Sequence, residues 1–146
     1  MNGVVVVALD DREHVTVLRR QYAMGLGAYL TLPGGASNVG EADVTTAERV
    51  LRSKTGIEAS KWTRLGSFLH ATDCPDRTTL CLGEGLRYGD AEEVTFDKFD
   101  IDLMPLPDAI KSVMSGDFVL PTSALALMMA ERLLNERRGR DVLTTH

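Results

Sequence analysis

Two short β-branched runs open the chain, Val4 to Ala8 and Val15 to Leu18, and the polar stretch Asp10-Asp11-Arg12-Glu13 between them predicts a hairpin. Tyr22 to Tyr29, with Gly25 and Gly27, is expected to be a loop, and Leu30 to Leu32 a short strand stopped by Pro33-Gly34-Gly35. The pattern then becomes helical. Val44, Ala47 and Leu51 recur at the spacing of a buried stripe, which predicts a helix over 42–55 with Gly56 as its stop. Trp62 to His70 and Thr78 to Leu86 read as strands. In the second, Thr78, Leu80, Leu82 and Glu84 share one face and Thr79, Cys81 and Gly83 the other. Arg87 to Glu93 is a polar turn, and the apolar/acid alternation of Val94 to Leu103 marks a strand with one wet face. Pro107 to Ser115 is a short helix ending at Gly116, and Pro121 opens a longer one to about Arg138. This order of elements predicts an α+β sandwich. The expected organisation is one domain over residues 1–138, with 139–146 a frayed tail.

Composition adds limits. With 146 residues, 44% of them apolar and 25% charged, the chain reads as a globular domain. The 21 acids against 16 bases, net −5, argue against nucleic acid as a partner but leave room for a small phosphorylated ligand, which needs one basic patch. The longest apolar runs, Val4 to Leu9 and Ala124 to Ala130, fall far short of the ~18–20 residues that cross a bilayer. Cys74 and Cys81 are too few for a disulfide framework. With no basic, cleavable leader pattern at the start, the expectation is a cytoplasmic protein without a membrane partner.

The segment from Gly35 to Ile57 resembles the Nudix box. That pattern is a Gly, five residues, a Glu, seven residues, then Arg-Glu-aliphatic-any-Glu-Glu-any-Gly-aliphatic. Gly35, Glu41, Arg49, Leu51, Gly56 and Ile57 fall in register. Upstream, Arg20-Gln21-Tyr22 and Leu32-Pro33-Gly34-Gly35 are similar to the approach found in ADP-ribose and nucleotide-sugar pyrophosphatases of that superfamily. The resemblance implies a Nudix fold, a mixed β-sheet sandwich between helices, over nearly the whole chain. It also implies that Glu41 and Arg49 brace the loop–helix–loop, with Glu41 able to add to metal binding.

Where the box carries its three glutamates, this chain has Val50, Ser53 and Lys54, and Asn38 stands where many relatives have a further acid. In the family those carboxylates hold magnesium, which bridges the substrate diphosphate and activates water. Positions 50, 53 and 54 share a helical face. Magnesium needs hard oxygen ligands at ~2.0–2.1 Å. Valine supplies none, serine a neutral hydroxyl, and lysine a positive charge that repels a divalent ion ~4 Å away by up to ~8 kcal/mol at an effective dielectric of ~20. The sequence therefore predicts no cofactor. Val50 can instead widen the core face of the helix. Arg49, Arg52 and Lys54, with Arg20, are candidates to contact a phosphorylated ligand directly. Lys54 has the plain alternative of an exposed lysine favoured by the helix dipole.

The favoured functional reading is a Nudix-fold protein that binds a ligand or partner and is not a standard magnesium-dependent hydrolase. One alternative is an enzyme, either a weak pyrophosphohydrolase that rebuilds a Mg2+ site from Glu41, Glu92 and Glu93 or a scaffold turned to metal-independent chemistry. Glu92 and Glu93 resemble a later-loop catalytic base of related ADP-ribose pyrophosphatases, with a solvated turn as the bland alternative. Asp76-Arg77 resembles a substrate-loop pair. Cys74 with His70 is a remote thiol–imidazole candidate, and Cys81 a core residue. A further alternative is a regulatory or assembly subunit. The final helix is apolar over Leu125, Leu127, Met128, Met129, Leu133 and Leu134, which fits either a homodimer contact or packing on the sheet. Arg137, Arg138 and Arg140 are expected at a solvated end.

Overall fold

A computed structural model describes residues 1–21, 27–91 and 99–144, with the backbone alone for 141–144. The elements in order are β1 (Gly3–Ala8), β2 (His14–Gln21), β3 (Ala28–Thr31), β4 (Gly34–Ala36), α1 (Asp43–Thr55), β5 (Ile57–Ala71), β6 (Cys74–Tyr88), β7 (Phe99–Pro105), α2 (Leu106–Met114) and α3 (Pro121–Thr144). They form a four-stranded sheet ordered β4-β1-β6-β5 and a three-stranded sheet ordered β3-β2-β7. Among the described strands only the β1–β6 pairing is parallel, so the architecture is α+β with one mixed sheet.

Strand β1 organises the interior because both of its faces are apolar and covered. Val5 and Val7, with Leu80 and Leu82 of β6, face a core shared with Val15, Val17, Leu30 and Leu32 of the second sheet and with α2 and α3. Val4, Val6 and Ala8, with Cys81, face a second core closed by Ala47, Val50 and Leu51 of α1. The two faces read on β6 thus turn to different cores, Leu80 and Leu82 to one and Cys81 to the other.

The predicted β1–β2 hairpin is corrected. Its turn forms, with Asp10 Oδ1 accepting from the Arg12 and His14 backbone N–H groups at 2.9 and 2.8 Å. The strands then part into different sheets and share only the isolated bridge Leu9–Val15. Both edges of β1 are taken, by β4 and β6, so no edge is left for β2. Gly34 and Gly35 do not simply stop a strand, since they belong to β4 and pair with Val5 and Val4.

Two stripes also shift. Val44 is 43% exposed, and the buried face of α1 is Thr46, Ala47, Val50, Leu51 and Thr55. In β7 the wet face carries Ile101 and Leu103, while Met104 packs on the core and Asp102 accepts from Arg19 Nε at 2.9 Å. Register decides this: Asp102 stands opposite Val17 and Met104 opposite Val15.

Helix α3 continues to Thr144, past Gly139. Its arginines brace the fold. Both Glu84 carboxylate oxygens accept from Arg137 Nη1, at 3.0 and 3.1 Å, and Glu13 takes Arg138 at 2.7 Å. Among the described residues no helix is long and apolar enough to cross a membrane.

Candidate functional site

The loop leading into α1 is held by one carboxylate. Glu41 Oε1 accepts from the Asn38 backbone N–H at 3.0 Å, the Thr46 hydroxyl at 2.7 Å and Arg49 Nη2 at 2.9 Å, while Oε2 accepts from Arg49 Nε at 3.1 Å. Arg49 Nη2 also donates to the Ala36 carbonyl at 2.9 Å, which ties α1 back to β4. The Arg49 bonds, then those from Asn38 and Thr46, push the Glu41 carboxyl down to about 2, and the same carboxylate raises Arg49. The expected brace is therefore present.

Val50 is 3% exposed and lies under the loop, where a Cβ on Gly35 would come within 3.0 Å of Val50 Cγ2. A side chain at position 35 would crowd it, so that Val50 had to give by a few tenths of an ångström. Ser53 and Lys54 are half-buried on the following turn. The helix ends at Gly56 in a left-handed conformation, φ 74°, with its N–H on the Arg52 carbonyl at 2.8 Å. Here a Cβ would sit 2.2 Å from the Gly89 carbonyl oxygen, so glycine is required both by the backbone angle and by close approach.

A cavity of about 500 Å³ opens beside the Gly34–Gly35 end of this motif. Val5, Leu32 and Leu120 give it apolar surface, and Arg20, Tyr29, Thr31, His70, Thr78 and Ser123 give it polar groups. No Asp or Glu lines it among the described residues, although the chain carries net −5. Arg20 lies 5.2 Å from the Phe99 ring centroid, and its Nε donates to the Thr31 hydroxyl at 3.4 Å. His70 Nε2 is 2.7 Å from Thr78 Oγ1. The hydroxyl of buried Ser123 accepts the Leu32 N–H at 3.3 Å.

The four cations nominated from sequence do not converge. Arg20 is in this cavity and Arg49 in the Glu41 brace. Arg52 borders a separate cleft of about 160 Å³ with Glu58, Arg87 and Asp90, and Lys54 lines neither space. Glu92 and Glu93 lie outside the described residues. His70 bonds Thr78, and Cys74 is a free thiol. Arg77 is spent on Ser67, through Oγ at 3.1 Å and the carbonyl at 2.9 Å, while Asp76 pairs with the terminal ammonium of Met1. Cys81 is buried in the α1 core, and burial, then the charge of Asp43, pushes its thiol up to about 11. Among the described residues no three His, Cys, Asp or Glu side chains are grouped as metal ligands.

Tyr29, Ser123 and the His70–Thr78 couple escaped sequence reasoning as cavity residues. No local pattern marks them: the pairing of β5 with β6 sets Phe68 opposite Thr78 and so brings His70 near it.

Comparison with known proteins gives this geometry a family. A NUDIX domain model matches residues 1–109. An ADP-ribose pyrophosphatase of Mycobacterium tuberculosis (strain ATCC 25618 / H37Rv) is 31% identical over 122 residues, 80% of this chain. The chain spans 58% of that relative's length. A crystal structure described as an ADP compounds hydrolase superposes with a TM-score of 0.80 at 19% identity, covering 93% of this chain and 74% of its own. That likeness supports the fold. With a family match over residues 1–109 and a loop–helix–loop built as described, the chain belongs to the Nudix family.

Proposed function

We propose that this chain binds a small phosphorylated ligand, of the ADP-ribose or nucleoside-diphosphate-sugar kind, without magnesium, and is not a standard magnesium-dependent pyrophosphohydrolase. The observation that carries this reading is Val50. At the position of a box glutamate, its side chain is 3% exposed and packed with Val4, Val6 and Leu51. A magnesium ion needs several oxygen ligands in near-octahedral order. Position 50 supplies hydrocarbon, and Glu41 already accepts four hydrogen bonds. The described residues of the box do not fit the ion. The cavity's lining supports the other half of the reading, since a surface with Arg20 and no described carboxylate suits an anion directly. The ligand class is suggested by the name of the Mycobacterium tuberculosis relative.

The test is a panel of ADP-ribose and nucleoside diphosphate sugars at high protein concentration, with magnesium, with manganese and with EDTA. The expected result is no turnover and a melting temperature raised by ligand in EDTA as in magnesium. Turnover that disappears with EDTA and with Glu41→Gln would overturn the reading in favour of a metal site rebuilt around Glu41, Glu92 and Glu93.

A second reading, assembly through α3 as a homodimer, is favoured by Leu125 and Met128, which are 38% and 41% exposed on a helix whose other face is core.

A further inference from the structure

The cavity has a polar feature that the box does not explain. The β5–β6 hairpin pairs Leu69 with Arg77 and Ala71 with Cys74, and its register shifts between them. His70 occupies that irregularity. Such a break re-aims a side chain out of the regular alternation. Here the imidazole Nε2 meets Thr78 Oγ1 at 2.7 Å, and both residues line the cavity. Thr78 is 8% exposed, with His70 as a partner of its hydroxyl and the cavity beside it.

A hydroxyl carries one proton. When His70 Nε2 is the unprotonated nitrogen, Thr78 donates to it and shows the cavity only lone pairs. When Nε2 carries hydrogen, His70 donates to Thr78, and the threonine proton is directed to whatever occupies the cavity. A ligand that donates, such as a sugar hydroxyl, favours the first arrangement; an anionic oxygen favours the second. Among the described lining residues the charged groups are Arg20 and, at the rim, the terminal ammonium of Met1 paired to Asp76, and Tyr29 is a further titratable side chain. This surrounding selects the anion.

We propose that Thr78, backed by His70 Nε2–H, is a metal-free contact for a phosphate oxygen in this cavity. The inference rests on the ligand-binding reading above and adds which residues hold the phosphate in place of a metal. Thr78 is the binding group and His70 the positioning residue that orients its proton.

Calorimetric titration in EDTA with ADP-ribose, AMP and adenosine tests it on the whole chain, with Thr78→Val, Thr78→Ser and His70→Gln beside the unaltered protein. Loss of a hydrogen bond to a charged oxygen is expected to weaken ADP-ribose binding roughly tenfold in Thr78→Val. Thr78→Ser should restore it, and adenosine should be insensitive to either change. Nitrogen NMR of the His70 ring, assigned by its absence in His70→Gln, should show Nε2 protonated in the ADP-ribose complex. That signal would not move if the pair served only to hold the hairpin. Binding by the unaltered protein that Thr78→Val leaves unchanged, or an adenosine affinity equally reduced by it, would overturn the phosphate contact while leaving the ligand-binding reading in place. A complex in which Nε2 stays unprotonated would overturn the orienting role of His70. No binding of ADP-ribose or AMP by the unaltered protein would sink both proposals together.

Discussion

At the residue scale, Glu41 and Val50 show how the box is used here. Glu41 is held ionised, its carboxyl pushed down to about 2 from an ordinary value of 4.5. A carboxyl whose folded value is depressed contributes stability that is present above the unfolded value and disappears as pH falls through the folded one. The window is therefore between about 4.5 and about 2. Urea unfolding across this range should show the unaltered protein losing stability with acid, and Glu41→Gln lacking that component, so the two converge at the acid end. Parallel curves would mean that the Arg49 brace contributes nothing through the carboxylate charge. Val50 is a core side chain, so Val50→Ala should cost about 1–3 kcal/mol by cavity formation. Val50→Glu should cost more than Val50→Ala in the same urea series, because a carboxylate enters a site 3% exposed among Val4, Val6 and Leu51. A Val50→Glu protein as stable as the original would mean that the side chain escapes to solvent and that the packing argument against the metal fails.

At the element scale, α1 depends on how it ends. Gly40 and Gly56 have nearly equal backbone angles, φ 76° and 74°, but a Cβ on Gly40 meets nothing within 4 Å whereas one on Gly56 meets Gly89. Gly40→Ala should cost only the left-handed strain, about 1 kcal/mol. Gly56→Ala should cost clearly more, since the Gly89 carbonyl has to move, and the difference between the two melting or urea midpoints isolates the clash. Equal losses would show that the loop after β6 yields freely. Helix existence and rough extent were legible in the 3.6-residue repeat and the glycine stops. Which side of α1 is buried was not fully legible: Val44 fits the stripe on paper, yet the helix packs on β1 through Val50 and Leu51 and leaves Val44 in water. Strand partners were the weakest part. The β1–β2 turn has ordinary hairpin chemistry, but β4 and β6 compete for β1 and win.

At the scale of the whole molecule, one doubly covered strand separates two cores, and α3 closes the larger of them with Ala126, Leu127, Ala130 and Leu134. Met129 and Leu133 pack partly against the same core, so a change there disturbs folding as well as any contact. Leu125 and Met128 are the cleaner probes. If α3 pairs two copies, Leu125→Asp with Met128→Asp should lower the sedimentation mass from dimer to monomer while the melting temperature of the monomer stays within a few degrees. A single species of unchanged mass in both proteins would remove the assembly reading.

Sequence by itself determined the α+β class, the register of the box and the identity of the residues in it, because fixed spacing and apolar period are local properties of the chain. It also foretold the Glu41–Arg49 brace through a resemblance. Tertiary structure bore out Val50 as a core side chain, and it alone decided that Arg20, Arg49 and Arg52 serve three different places and that His70 and Thr78 share a cavity wall. Those outcomes depend on pairing register and on which faces meet. Both are set by competition among distant segments for the same edges and the same apolar surface, and no local pattern records the winner.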